Sequence, residues 1–322
     1  MLRGRHFPQK KVVRKAKRGK EENEICGQNR YPTRSFHGSF ENRIVMTKKD
    51  NKQDKNGNGG KHRQHKNKRI SKTKEVQDYS FNKELLVSSW KARDELYESL
   101  FGPYTSVSPV DYAPPEDNVD NQRLAVLAYA PDPTRPYWTY VTAGLSTPWL
   151  QQEPLEVSGF GLELIVKSPT EAEWPAQILR TMAYYIFNHM GTLSPSVRLT
   201  LNSPIVAGGD SLLRNMLIWY ADDAPDCWYQ LPSGGFGLFM SIGITDDEMK
   251  LTETLHEEYG TWCMLQILRQ VGLGQITDPA RASVMDRGDI HSVISSVKNF
   301  AEQFHNDFPN ANRACLSEEE LN

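Results

Sequence analysis

The sequence predicts an α+β fold, a mixed β-sheet flanked by helices, carried by the residues after position 80. Three observations lead there. Runs alternating with period two, such as FGLELIV (160–166), lie among runs with helical period, such as KELLVSSWKARDELYESLF (83–101). The strand-like runs are joined by connections of unequal length, which argues against a regular array of βαβ units. The first 80 residues hold too few apolar side chains to offset the entropy of ordering them, so they are expected to form a disordered basic arm.

Taken in order, Asn82 can cap a first helix over residues 83–101. Leu86, Trp90, Arg93, Tyr97 and Leu100 fall at helical spacing along it, and Gly102-Pro103 stops it. A Pro- and Asp-rich loop follows at 108–121. LAVLAYA (124–130) reads as a buried strand, and PDPTRP (131–136) turns the chain into a strand over 138–142. In the alternating run, Phe160, Leu162, Leu164 and Val166 share one face, and Gly161, Glu163 and Ile165 the other. Residues 171–188 read as an amphipathic helix with Pro175 in its first turn, where proline is tolerated. Ile178, Met182, Tyr185 and Ile186 are placed along one side of that helix. VRLTL (197–201), residues 216–220 and FGLFMSIGI (236–244) are further strands. Thr245 and Glu248 form a capping box: the hydroxyl can accept the Glu248 amide while the carboxylate reaches back to the Thr245 amide. The helix after it extends to about Arg269 with an interruption near Tyr259-Gly260. A last helix covers 290–304 and an acidic end closes the chain. Trp90 and Phe160 are both expected to be buried.

Charge divides the chain in two. Residues 1–80 carry 23 Lys and Arg against 8 Asp and Glu, and residues 81–322 carry 15 against 32. A basic arm beside an acidic body fits contact with nucleic acid through residues 1–80, and equally a solubilising tail. Met46 stands in frame before a further basic stretch, so an over-extended start is a third reading. The expected organisation is an arm over 1–80, a domain over 81–286, and a C-terminal helix with acidic tail over 287–322. No apolar run approaches the about 20 residues that span a bilayer, and no signal peptide is visible, so no membrane partner is expected. Cys26, Cys227, Cys263 and Cys315 have neither CxxC nor metal spacing, which fits a reducing cytoplasmic setting.

No motif supplies chemistry at a working spacing. His256-Glu257-Glu258 lacks the second histidine of a zinc-binding HExxH helix, because position 260 is Gly. Ser158-Gly159-Phe160-Gly161 is followed by a strand rather than a helix start, so its glycines read as places of close backbone approach. Asp222, Asp223 and Asp226 lack EF-hand spacing and read as a solvated turn. There is no GxSxG elbow, so a hydrolase would need a site invisible as a motif. No catalytic residue, metal or cofactor is therefore assigned.

Seven segments in this order resemble the suppressor of fused family. They are the run from Trp90 to Gly102, YWTYVTAGLS (137–146), SGFGLEL (158–164), Trp174-Pro175 leading to AYYIF (183–187), NSPI (202–205), IGITDDEM (242–249) and ITDPARASVMD (276–286). The resemblance implies an α/β sandwich and a non-enzymatic, protein-binding role. In animals the family restrains Gli-type transcription factors. Its bacterial members carry this domain by itself, and some imply immunity proteins that bind and neutralise toxins. The chain departs from the family where a Glu-Leu-Thr run reads Glu163-Leu164-Ile165, and where a Phe-Leu-Gln strand reads Leu238-Phe239-Met240. The family's partner-contacting tyrosine falls on Tyr185, but its partner-contacting aspartate falls on Val197. These departures favour a partner other than a Gli-type factor, a toxin or a regulatory protein, and a bacterial-type chain.

The expected docking surface is Tyr185 with Val197, Leu199 and Leu201 of the strand that follows. The same residues admit a second reading, with Tyr185 in the core and the strand at the centre of the sheet.

Overall fold

The computed structural model describes residues 82–109, 124–149, 151–189, 193–255 and 259–307. The basic arm, the His256-Glu257-Glu258 run and the acidic C-terminal end lie outside the described residues. Helix α1 (Lys83–Phe101) opens the described chain. Asn82 caps it by accepting the Leu85 amide at 3.0 Å, and Gly102, at φ 76°, closes it by donating to the Glu98 carbonyl. Strands β1 (Ser106–Pro109), β2 (Ala125–Tyr129), β3 (Trp138–Ala143) and β4 (Val157–Ser168) follow, then helix α2 (Trp174–His189). Strands β5 (Arg198–Thr200), β6 (Leu213–Tyr220), β7 (Tyr229–Leu231) and β8 (Gly234–Thr245) come next. Helices α3 (Asp246–Leu255), α4 (Gly260–Gln270) and α5 (Ile290–Asp307) complete the order, with a short 3-10 turn at Val284–Asp286.

Among the described residues the strands form one eight-stranded sheet in the order β1-β2-β3-β4-β8-β6-β5, with β7 paired to β8. Neighbours are antiparallel except β4 and β8, which run parallel with Leu164 opposite Phe239. The mixed sheet flanked by helices is therefore as the sequence predicts. Each face carries its own apolar layer. On one, Leu162, Leu164 and Val166 of β4 pack with Leu179, Met182 and Ile186 of α2. On the other, Ile165 of β4 packs in the layer that holds Tyr97 and Phe101 of α1, Trp262 of α4 and Val297 of α5. The alternation read along β4 is thus what divides its side chains between the two layers.

Several elements differ from expectation. Strand β1 lies partly in the segment read as loop, and β7 was not foreseen. Both are short edge or hairpin pieces with weak patterns of their own. Strand β5 spans three residues rather than five, and α2 begins at Trp174 rather than 171. Trp90 and Phe160 are half-buried, not buried. Trp90 donates its indole N–H to the buried Thr147 Oγ1 at 3.2 Å, and Phe160 packs against the α2 layer. Asp222 and Asp223 do lie in a turn, with Asp222 exposed, but their carboxylates are paired. Asp222 pairs with Arg269, and Asp223 takes the buried Lys167 Nζ at 2.8 Å. No helix among the described residues is long and apolar enough to cross a membrane.

Candidate protein-docking surface

Glu163 sits in the middle of β4 with no exposure, on the face away from Leu162 and Leu164. A carboxylate there must be satisfied by donors. Thr142 Oγ1 donates to it at 2.6 Å, the Gly144 and Ser146 amides at 2.9 Å each, and Ser146 Oγ at 2.7 Å. One side chain therefore shapes the turn after β3. A second set of bonds clamps the same turn to the start of β4. Ser158 Oγ donates to the Ser146 carbonyl at 2.6 Å and the Phe160 amide to the Leu145 carbonyl at 2.8 Å. Gly159 lies at φ 57°, and a Cβ there would stand 2.5 Å from the Leu145 and Thr147 carbonyl oxygens. The Ala-Gly-Leu-Ser and Ser-Gly-Phe-Gly-Leu-Glu segments are thus two halves of one construction. Sequence reasoning recognised both and missed the buried carboxylate that joins them.

That clamp sets an aromatic group at the C-terminal half of α2. Phe160 meets Phe187 edge-on with ring centroids 5.0 Å apart, and Trp149 meets Phe187 at 6.5 Å. On the outer side of the helix Tyr184 and Tyr185 are 56% and 42% exposed. Tyr185 does not share the buried side with Ile178, Met182 and Ile186, as the sequence reading placed it. It stands one residue, about 100°, away from Ile186 around the helix, which turns it outward.

Strand β5 ends the sheet order beyond β6. The Leu201 amide donates to the Arg214 carbonyl at 2.8 Å and the Ile218 amide to the Val197 carbonyl at 2.9 Å. In an antiparallel pair these bonds alternate, so the main-chain groups of Arg198 and Thr200 point away from β6. Val197, Leu199 and Leu201 are half-buried and pack, with Phe160 and Phe187, on the edge of the same apolar layer. The structure therefore puts Tyr185 outside the core and β5 at a sheet edge, against the reading with Tyr185 in the core and the strand central. The α2 helix itself lies over β2, β3 and β4.

The titratable groups elsewhere are tied into the scaffold. Burial pushes the Tyr97 hydroxyl well above its usual range, with the Glu163 charge adding to it, and that hydroxyl donates to the Thr142 carbonyl at 2.9 Å. Burial also pushes Asp247 upward, but hydrogen bonds from Thr245 and Ser283 more than offset it, and its carboxyl is held below the usual carboxylate range. Among the described residues no three His, Cys, Asp or Glu side chains come together as a metal site.

Comparison with known proteins follows the same residues. The family model described as "Suppressor of fused protein (SUFU)" matches residues 120–282, half of the chain. The human protein called Suppressor of fused homolog is 26% identical over 173 residues, which cover 48% of this chain and 34% of that protein. The chain thus spans about a third of the length of that curated relative. The crystal structure of the Sufu-Fu complex matches at a TM-score of 0.50 and 18% identity, over 65% of this chain and 95% of that one. The crystal structure of Drosophila Suppressor of Fused matches at a TM-score of 0.50 and 18% identity, over 68% of this chain and 55% of that one. At this identity the two structures show a shared fold.

Proposed function

Since the chain belongs to the suppressor of fused family, we propose that it is a protein-binding module that captures an extended segment of a partner by adding a strand to β5, with Tyr185 on α2 as a second contact. The observation that carries this is the outward main chain of Arg198 and Thr200 at the end of the sheet. An edge of this kind supplies main-chain bonds to an incoming strand, while alternate side chains choose among partners. Exposed Tyr185 and Tyr184 add aromatic area of the kind that concentrates binding energy. A related structure is a complex with a second protein, Fu, which supports the same kind of role here. The partner is a cytoplasmic toxin or regulatory protein: Val197 stands where the family's contacting aspartate falls, so a Gli-type segment loses its counterpart.

The test is capture of the cellular partner by wild-type protein and by Tyr185→Ala and Val197→Asp variants, each shown to keep the wild-type unfolding midpoint. Loss of the partner from folded variants is expected. Retention at wild-type affinity places docking elsewhere.

The charge contrast favours a second activity of the arm. Residues 1–80, with 23 basic against 8 acidic side chains, are read as the nucleic-acid contact. A chain starting at Phe81 should lose salt-sensitive binding to DNA or RNA. Equal binding by the shortened and full chains overturns that reading.

A further inference from the structure

We propose that the segment captured at β5 is acidic, an extended peptide whose Asp or Glu side chains meet Arg198 and Arg214. This rests on the reading of β5 as the docking edge. Arg198 lies on β5 itself, opposite Leu217 of β6. Arg214 lies on β6, where its carbonyl takes the Leu201 amide, so it flanks the end of β5. The Arg198 side chain is half-buried and that of Arg214 exposed. Among the described residues neither guanidinium makes an ion pair or a hydrogen bond.

That isolation is out of character for this body. From residue 81 onward 32 acidic side chains face 15 basic ones, and Arg93, Arg135, Arg269, Arg281 and Arg287 each pair with a carboxylate. Asp246 comes near β5 through Asn215, the residue opposite Thr200, but it already accepts from Asn215 Nδ2 at 2.8 Å. Arg198 thus stands on an open main-chain edge and Arg214 one strand behind its end, both with their donors uncommitted. Guanidinium matches carboxylate in both charge and fork geometry. Arg214 lies three residues along β6 from Leu217, so the two stems are roughly 10 Å apart along the strand direction and, with a period of two, leave from opposite faces of the sheet. Acidic residues three positions apart on the incoming strand span that distance and likewise leave from opposite faces. Phosphate would also pair with guanidinium. However, the surrounding body is acidic, and the edge offers peptide-type donors and acceptors in alternation, which favours a polypeptide.

The test uses the full chain, immobilised, and a display library of short random peptides as probe. Selected peptides are then measured by fluorescence anisotropy at low and high salt against wild type, Thr200→Pro and the Arg198→Gln/Arg214→Gln double variant. Proline at position 200 removes an outward amide without touching the bonds to β6. If it fails to keep the wild-type unfolding midpoint, Tyr185→Ala takes its place. The expected result is a pool rich in Asp and Glu that needs the edge, weakens with salt and loses roughly tenfold in affinity in the arginine double variant. Peptides that need the edge but are neutral or basic overturn the acidic partner and leave the docking edge standing. Failure to select any peptide sensitive to Thr200→Pro or Tyr185→Ala overturns the docking edge and the inference together. A poly(dT) oligonucleotide that binds wild type and displaces the selected peptides, and is itself lost in the double variant, replaces the peptide with nucleic acid and overturns the proposal.

Discussion

Arg281 lies flat against Glu248, with one guanidinium nitrogen 2.6 Å from each carboxylate oxygen and the carboxylate wholly buried. Glu248 is also the capping-box acid of α3 and accepts the Thr245 amide at 2.9 Å. It takes the Val284 amide at 2.8 Å as well. One carboxylate therefore starts a helix, neutralises a distant arginine and ties down the 3-10 turn at Val284–Asp286.

Breaking that pair should be costly. Replacing Arg281 with Met strands a buried charge, and removal of one partner of a buried pair costs about 3–5 kcal/mol. A Glu248→Leu/Arg281→Met double variant should lose less than the sum of the single losses, because neither leaves a lone charge. Urea unfolding midpoints measure both. Additive losses show that the two side chains do not depend on each other.

Glu163→Gln tests the joint between the turn after β3 and the start of β4. The amide keeps the shape but puts a donor where the carboxylate accepts from several donors, so at least one buried group is left unsatisfied at about 1–3 kcal/mol. The near-ultraviolet signal of the aromatic group around Phe160 should change with it. A variant with the wild-type midpoint removes Glu163 from this role.

Gly159→Ala should be worse than Gly208→Ala. Both glycines have positive φ, 57° and 73°, so each substitution carries a backbone penalty of about 1–2 kcal/mol. Only at Gly159 does the added carbon also meet two carbonyl oxygens; at Gly208 it meets nothing within 4 Å. Equal unfolding midpoints for the two variants contradict the close approach.

Acid should act through Asp247. Its carboxyl is depressed in the folded chain because hydrogen bonds from Thr245 and Ser283 outweigh the effect of burial. A depressed carboxyl contributes stability that is present above the unfolded value of about 4 and is lost as pH falls through the folded value. Asp247→Asn should therefore lower the unfolding midpoint at pH near 6 and converge on wild type under strongly acid conditions. A difference that stays constant over that range assigns the titration to other groups.

Legibility in the sequence followed locality. The Asn82 cap, the Thr245–Glu248 box and the two-layer alternation of β4 depend on residues a few positions apart, and these were legible. Glu163 was not. A Glu in an alternating strand reads as the solvent side, and it is buried here because β4 lies between β3 and β8 with both faces covered. The interruption of FGLELIV by one acid, inside a run apolar on both faces, was the available signal. Lys167 and Asp223 show the same blindness: each looks like a solvated charge until the fold brings them to 2.8 Å. Tyr185 was placed by spacing alone, and a single residue of helical phase separated core from surface. The partner surface was legible only as an ordered set of family segments. The two arginines beside β5 carry no pattern in the sequence at all.

The parallel seam between β4 and β8 has a kinetic consequence. Strands β1 to β4 are joined by antiparallel pairings of successive strands, so they can zip from neighbouring turns. The ladder that joins Leu162 to Gly237 and Leu164 to Phe239 pairs strands that α2 and β5 to β7 separate in sequence, so it must wait until that whole stretch has been brought round. Closing so long a segment costs chain entropy before any contact repays it, and such separations slow folding more than they reduce stability. The meander through β4 can then collapse first and hold its unpaired β4 edge open until β8 arrives. In that interval the centre of the sheet is itself an edge, and the chain is most vulnerable to pairing with the wrong strand.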